Sequence, residues 1–413
     1  MCGILFIVSL LLNVRASLLQ ATDLNPEERV FAFIFDEKHY DKRARPMKTP
    51  NIPINVLFRL DFNQLYEVSE KAQTISILTT VYQQWYDYRL FWNTSDYENL
   101  TWIAVDGTSI WTQDTTLYNE VDMYRPSVED AAKAIVSTIP DRNTSLVNYF
   151  YNAHHTIGCR FDMRYFPFDT QNCTFTFGSW SQDGSMIKYQ LKSDLVTTEY
   201  HQPSDVWTLA SFRLVRQELK YECCPHPFTV LDAQFVIRRR SLYYAFNLIL
   251  PTIVINVLST FALFASEGSP ENRHDKLQIG LTTLLSYCIL LLSVSDQIPK
   301  GSTSVPLLGI FYIVIMLQNA LELVACIYLS FPARRTWFVA LCNKLPVGRL
   351  WTSKVTAEKS TPGAVMAPAN FQGGAGLEMD ISRNHFPETL CLYLGIVSTV
   401  VITCVVFAIG LTA

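Results

Sequence analysis

Charge is scarce in this chain and nearly balanced. Lys and Arg number 33 against 37 Asp and Glu, a formal net of −4 over 413 residues, and no basic stripe stands out in the first half. Nucleic acid is thereby excluded as a partner, because neutralising a phosphate backbone takes clustered cations. No internal repeat is evident, which excludes a solenoid or propeller. His154-His155 is an adjacent pair on a run of strand-like pattern, where neighbours point to opposite faces, and is read as structural. No thiol or imidazole cluster has ligand spacing, so no metal or other cofactor is expected, and nothing suggests an enzyme.

Apolar residues are abundant. They make up 49% of the chain with a mean hydropathy of +0.14, high for a purely soluble protein. Met1–Ala16 contains the apolar stretch Ile4–Leu12 and then Val14 and Ala16 at signal-peptidase spacing, without a basic leading region. It reads as a cleaved signal peptide. Four Asn-x-Ser/Thr sequons, at Asn93, Asn99, Asn143 and Asn172, precede the first long apolar segment, where the secretory lumen would meet them.

The ten cysteines divide by compartment. Cys2 leaves with the signal, Cys288, Cys326, Cys391 and Cys404 lie in apolar segments, and Cys342 follows the third of these. Cys159, Cys173, Cys223 and Cys224 remain on the lumenal side, where three disulfide connectivities are open. For Cys223-Cys224, two free thiols or half of a metal site are the other readings.

Pro26–Lys42 reads as a surface helix stopped at Arg45-Pro46. From Ile54 the period becomes two, with Val56, Phe58, Leu60 and Phe62 alternating with Leu57, Arg59, Asp61 and Asn63. Further aromatic and β-branched runs, Thr74–Trp92, Leu146–Cys159, Cys173–Trp180, Ser185–Leu191, Trp207–Tyr221 and Thr229–Arg240, are separated by turn-rich stretches. They predict a β-sandwich extracellular domain over residues 17–241 with a helix at its N-terminus.

Four segments then qualify as membrane helices: Leu242–Phe264, Leu277–Val294, Val305–Phe331 and Thr389–Thr412. Pro251 lies within the first, and Glu322 is the sole charge inside the third. The second carries Gln278, Thr282, Ser286 and Ser293 on one stripe interrupted by Leu285 and Ile289, which either packs inside a bundle or lines water. Arg334, Arg335, Lys344, Arg349, Lys354 and Lys359 follow the third segment and place the loop 332–388 in the cytoplasm. Helices one to three occupy 242–331 and the fourth 389–413, so both termini are expected outside.

Cys159 and Cys173 bracket Phe166-Pro167-Phe168-Asp169, and with four downstream apolar segments this resembles the Cys-loop pentameric ligand-gated ion channels. Trp111-Thr-Gln-Asp114 with Leu117-Tyr118-Asn119, Gly178-Ser179-Trp180-Ser181, and Tyr221-Glu222-Cys223-Cys224-Pro225-His226-Pro227-Phe228 are similar to the three principal agonist loops of α-type nicotinic acetylcholine receptor subunits. The resemblance implies the disulfides Cys159–Cys173 and Cys223–Cys224. The first would stabilise by roughly 3 kcal/mol through loop closure. It also implies agonist contacts from Tyr118, Trp180, Tyr221, Cys223, Cys224 and Phe228. A quaternary ammonium cannot donate a strong hydrogen bond, so aromatic faces are the chemistry that holds it.

The same resemblance makes Asp275, Gln278, Thr282, Leu285, Ile289 and Asp296 the pore line, with carboxylate rings at both mouths favouring cations. It assigns coupling to Glu70, Asp169 and Arg240, with the linker Pro299–Pro306 receiving the motion. Counting from Glu70-Lys71-Ala72-Gln73, the tryptophan of the family's complementary face is here Thr80, with Tyr82 two residues on. The implied protein is an acetylcholine-gated cation channel subunit, in the lipid bilayer of a synaptic plasma membrane, joined by other receptor subunits in a heteromeric pentamer. An anion-selective or other-amine-gated Cys-loop subunit and a non-conducting accessory protein are the alternatives.

Overall fold

The computed structural model describes residues 24–36, 39–50, 52–121, 132–265, 273–296, 305–331 and 386–412. The expected signal peptide, most of the cytoplasmic loop and most of the linker Pro299–Pro306 lie outside these. The described residues form two compact units, Met1–Asp162 with Thr170–Arg239, and Met163–Asp169 with Arg240–Ala413.

The first unit opens with helix α1, Pro26–Ile34, which starts at a capping box in which Asn25 and Glu28 bond each other's backbone. Ten strands follow: β1 Ile54–Ser69, β2 Thr74–Asp87, β3 Trp102–Asp106, β4 Thr115–Leu117, β5 Lys133–Ile139, β6 Thr144–Gly158, β7 Thr170–Ser179, β8 Ile187–Leu191, β9 Trp207–Leu219 and β10 Phe228–Arg239. They make a six-stranded sheet ordered β3-β5-β6-β2-β1-β8 and a four-stranded sheet ordered β4-β7-β10-β9. The alternation read in β1 sets the inward face, with Val56, Phe58 and Leu60 fully buried and Phe62 nearly so, but Asp61, expected outward, is buried as well and accepts from Arg59. Phe58 meets Phe177 of β7 at 5.7 Å, and Phe62 meets Phe212 of β9 and Phe235 of β10 at 5.7 and 5.2 Å. This aromatic layer joins the sheets into a sandwich.

The expected helix Pro26–Lys42 ends at Ile34, because Phe35 closes its last turn and no apolar periodicity continues. Strands β3, β4 and β5 are additions to the sequence reading. His154 and His155 do point apart: His155 is buried edge-on against Phe177, and His154 meets Tyr66.

The second unit holds four helices of membrane length. Helix α2 runs through Leu242–Tyr244, a π turn over Ala245–Ile249, and Leu250–Ala265. The wide turn falls just before Pro251, whose missing N–H breaks the regular ladder there. Helices α3, Arg273–Ser295, α4, Leu307–Leu329, and α5, Phe386–Thr412, complete the set. Apolar surface alone would leave their order in lipid unspecified, and buried polar side chains specify it. The Tyr287 hydroxyl on α3 donates to Asn256 Oδ1 on α2 at 2.9 Å, and Asn256 Nδ2 donates to Thr399 Oγ1 on α5 at 2.8 Å. On α4, Asn319 Nδ2 donates to Ser259 Oγ of α2 at 3.0 Å. The segment Met163–Asp169 belongs to this unit: Phe166 meets Tyr244 at 4.9 Å and Phe168 meets Phe407 at 5.6 Å.

Candidate functional site

Antiparallel pairing sets Leu117 of β4 opposite Phe177 of β7 and Thr115 opposite Ser179. Tyr118 therefore leaves β4 beside Thr176 within β7, and Trp180 leaves β7 beside Asp114. The Tyr118 ring crosses Gly178 to reach Trp180, edge to face at 6.0 Å, and its hydroxyl donates to the Ser179 carbonyl at 2.6 Å. A Cβ at Gly178 would collide with that ring, which is why glycine stands there. Burial, followed by the nearby Tyr221 and Asp114, pushes the Tyr118 phenol up to about 12, so it stays a neutral donor.

Asp114 sets the turn that carries the indole. Its carboxylate accepts from the Ser179 hydroxyl, from the Ser181 amide at 2.7 Å and from the Ser181 hydroxyl at 2.6 Å. Trp180 is left 71% exposed, a large aromatic face turned outward. β10 pairs with both β7 and β9, Val230 opposite Gly178 and Phe228 opposite Leu219, so the β9–β10 hairpin rises beside the Trp180 turn. It carries the Cys223–Cys224 disulfide and the edge-on pair Tyr221 and Phe228 at 5.6 Å. Between the two loops, the Ser185 hydroxyl holds the Asp183 carboxyl below its usual range, aided by the Ser185 amide, His226 and Lys220. Three loops spread between residues 111 and 228 thus converge at one end of one sheet. What they offer is exposed aromatic surface with acceptor oxygens behind it, a setting for a cation that carries no hydrogens to donate.

At the far end of the same unit, Cys159 and Cys173 form a disulfide with Cα atoms 5.6 Å apart. Glu70 is paired there: its Oε1 accepts from Arg239 Nη1 at 2.8 Å. Alternation along β10 turns Arg239 inward, where its side chain is 1% exposed and lies over the Trp207 ring at 4.2 Å, whereas Arg240 is exposed just past the strand end. Asp169 is buried in the second unit.

In α3 the polar stripe lies largely on the exposed side, with Ser286 half-buried and Leu281 and Leu292 exposed beside it. Lys276, Gly280, Thr283, Tyr287 and Val294 are buried, while Asp275, Gln278, Thr282, Leu285, Ile289 and Asp296 are exposed, Leu285 by 61% and Ile289 by 60%. The packing reading of the stripe is thus set aside within this chain. A helix that shows hydroxyls, an amide and end carboxylates away from its own bundle is arranged to face water or further copies. The sequon asparagines Asn93, Asn99, Asn143 and Asn172 are all exposed.

On the six-stranded sheet, Thr80 donates to Asn152 Oδ1 at 2.7 Å and accepts from Asn63 Nδ2 at 2.9 Å. The Arg59 guanidinium covers Tyr82 at 3.9 Å, so a cation of the chain already occupies that aromatic face.

Residues 27–241 match the neurotransmitter-gated ion-channel ligand binding domain, and residues 248–337 match the neurotransmitter-gated ion-channel transmembrane region. The chain belongs to the neurotransmitter-gated ion-channel family. Among curated relatives, acetylcholine receptor subunit alpha-type des-2 of Caenorhabditis elegans is 37% identical over 77% of this chain and 58% of its own length. The betaine receptor acr-23 of the same organism is 35% identical over 67% of the chain and 53% of its own. Neuronal acetylcholine receptor subunit alpha-3 of Rattus norvegicus is 29% identical over 86% and 70%. The chain spans between half and three fifths of the length of the first relatives it matches. As a member of this family with four apolar helices, it is a multi-pass membrane protein.

Proposed function

We propose that this chain is a subunit of an acetylcholine-gated cation channel, supplying the principal agonist face and one pore-lining helix of a pentamer. The observation that carries this reading is the convergence of the Tyr118–Trp180 pair with the Tyr221–Phe228 pair beside the Cys223–Cys224 loop. Each aromatic face contributes on the order of 0.5–2 kcal/mol to holding a quaternary ammonium. Nothing in the cage reads the rest of the agonist, so the class is the quaternary ammonium itself, acetylcholine or a related amine. One similar protein is named a betaine receptor, and betaine presents the same trimethylammonium group.

Cation selectivity rests on the exposed Asp275 and Asp296 at the two ends of α3. Heteromeric assembly rests on the other face, where Thr80 has no ring and Tyr82 is under Arg59. Agonist closing the Cys223–Cys224 loop biases the open state by its differential affinity for it, and the change is carried through Glu70, Asp169 and the strand end at Arg239–Arg240. The chain is not an enzyme in this reading, its termini lie outside a synaptic plasma membrane, and its four exposed sequons carry glycans.

The deciding experiment is co-expression with candidate partner subunits, an agonist panel under voltage clamp, and reversal potentials under chloride substitution. Quaternary-amine currents whose reversal follows sodium support the reading. A reversal that follows chloride overturns selectivity, and silence with every partner and amine overturns the function.

A further inference from the structure

Among the described residues Glu322, the one carboxylate of α4, has no cation beside it. Glu322 sits about two thirds of the way along α4 and is 8% exposed. Its oxygens accept from neutral donors, Oε2 from the Thr260 hydroxyl and Oε1 from Gln318 Nε2, each at 2.7 Å. No Lys, Arg or His pairs with it among the described residues. Gln318 Nε2 is also directed at the Gly395 carbonyl and Thr399 Oγ1, whereas its Oε1 is buried without a donor. This corner of the bundle therefore has more acceptors than donors, at a depth where an uncompensated charge costs several kcal/mol.

The corner is not closed. A cavity of about 570 Å³ lies between α4 and α5 with Gln318, Glu322 and Ser398 among its lining. Leu317, Leu321 and Leu394 flank it on the outward side and are 59, 70 and 59% exposed, so its mouth opens away from this chain's own bundle. Gly395 keeps the polar floor accessible: a Cβ there would stand 2.7 Å from Glu322 Oε1 and 2.6 Å from Thr260 Cγ2. A mid-helix glycine costs about 1 kcal/mol against alanine, and here it leaves a carboxylate edge open toward an apolar slot.

We propose that the α4–α5 cavity is a binding site for a cationic amphiphile, a protonated amine with an apolar body that enters from the bilayer. The ammonium supplies the missing charge to Glu322 and a donor to Gln318 Oε1. The body fills the leucine-lined slot. A neutral alcohol offers one donor and no charge, and a carboxylate or phosphate head would face Glu322 with like charge. The site is separate from the aromatic cage and does not depend on which agonist opens the pore.

Photolabelling of the full-length chain in cell membranes tests this, using dodecylamine and dodecanol that carry the same diazirine. The amine probe should label peptides around Leu317–Leu321 and Leu394–Ile402, and excess unlabelled dodecylamine, but not dodecanol, should compete. Glu322→Gln should reduce amine labelling at least tenfold with surface expression retained, and Leu394→Trp should block both probes. If Glu322→Gln fails to reach the surface, the wild-type competition decides. Equal competition by amine and alcohol, labelling spread evenly over all four helices, or amine labelling indifferent to Glu322→Gln would each overturn the proposal.

Discussion

Asp114 and Ser181 are joined twice, the carboxylate Oδ2 accepting from the amide at 2.7 Å and from the hydroxyl at 2.6 Å. The exposed indole between Ser181 and Ser179 is therefore held by a residue that does not itself present a face to the agonist. Asp114→Ala should release the turn and lower agonist sensitivity at least tenfold, while Asp114→Asn, which keeps part of the acceptor set, should lose less. Concentration–response curves at matched surface expression check the order.

Trp180→Ala removes the most exposed ring of the cage. Agonist potency should fall at least tenfold, on the order of 1.4 kcal/mol, with assembly intact. Unchanged potency at normal surface level would move the agonist elsewhere.

Glu70 and Arg239 form a pair in which the guanidinium is almost fully buried. Arg239→Gln leaves Glu70 without its cation and should destabilise by about 3 kcal/mol, read as a sharp loss of surface protein. Lys71→Gln, an exposed neighbour of Glu70, should reach the surface normally. Equal loss in both variants would show that the pair seen here is not the one that matters.

Asp275→Asn neutralises an exposed carboxylate at one end of α3, and in a pentamer one substitution removes a whole ring. Single-channel cation conductance should drop, more steeply at low salt, because screening already weakens the ring at high salt. Conductance unchanged at low ionic strength would place Asp275 outside the ion path.

Thr80→Trp should raise agonist sensitivity only in pentamers where two copies of this chain adjoin, since only there does strand β2 face a cage of the same type. Arg59→Ala tests the neighbouring wall by uncovering Tyr82. Large, sensitive homomeric currents without either change would contradict the incomplete face inferred here.

The two-residue period of β1 and the four apolar helices were legible because each repeats one signal over many residues, although Asp61 breaks the alternation in β1 by being buried. β4 was not, since three residues hold no period; its pairing with β7 nevertheless places Tyr118. β5 was missed for another reason. Its inward positions, Ala134, Val136 and Thr138, are small or polar, and Thr138 is buried because its hydroxyl bonds the Trp92 carbonyl. Pattern matching located the cage aromatics, but not the clamp by Asp114, which depends on loops 65 residues apart meeting in space. Arg239 and Arg240 differ by one step of a pleat, and which one turned inward depended on where β10 ends.

The hydrogen bonds from Tyr287 to Asn256 and from Asn256 to Thr399 run from α3 to α5, whose apolar span is only 17% buried. A 23-residue span is about 35 Å long, and a thinner bilayer tilts such a helix. Tilt of α5 pulls on Thr399, and Thr399 is two bonds from Tyr287. Bilayer thickness is thereby a mechanical input to α3, and if that helix lines the proposed pore, currents at one fixed agonist concentration should differ between short-chain and long-chain lipids.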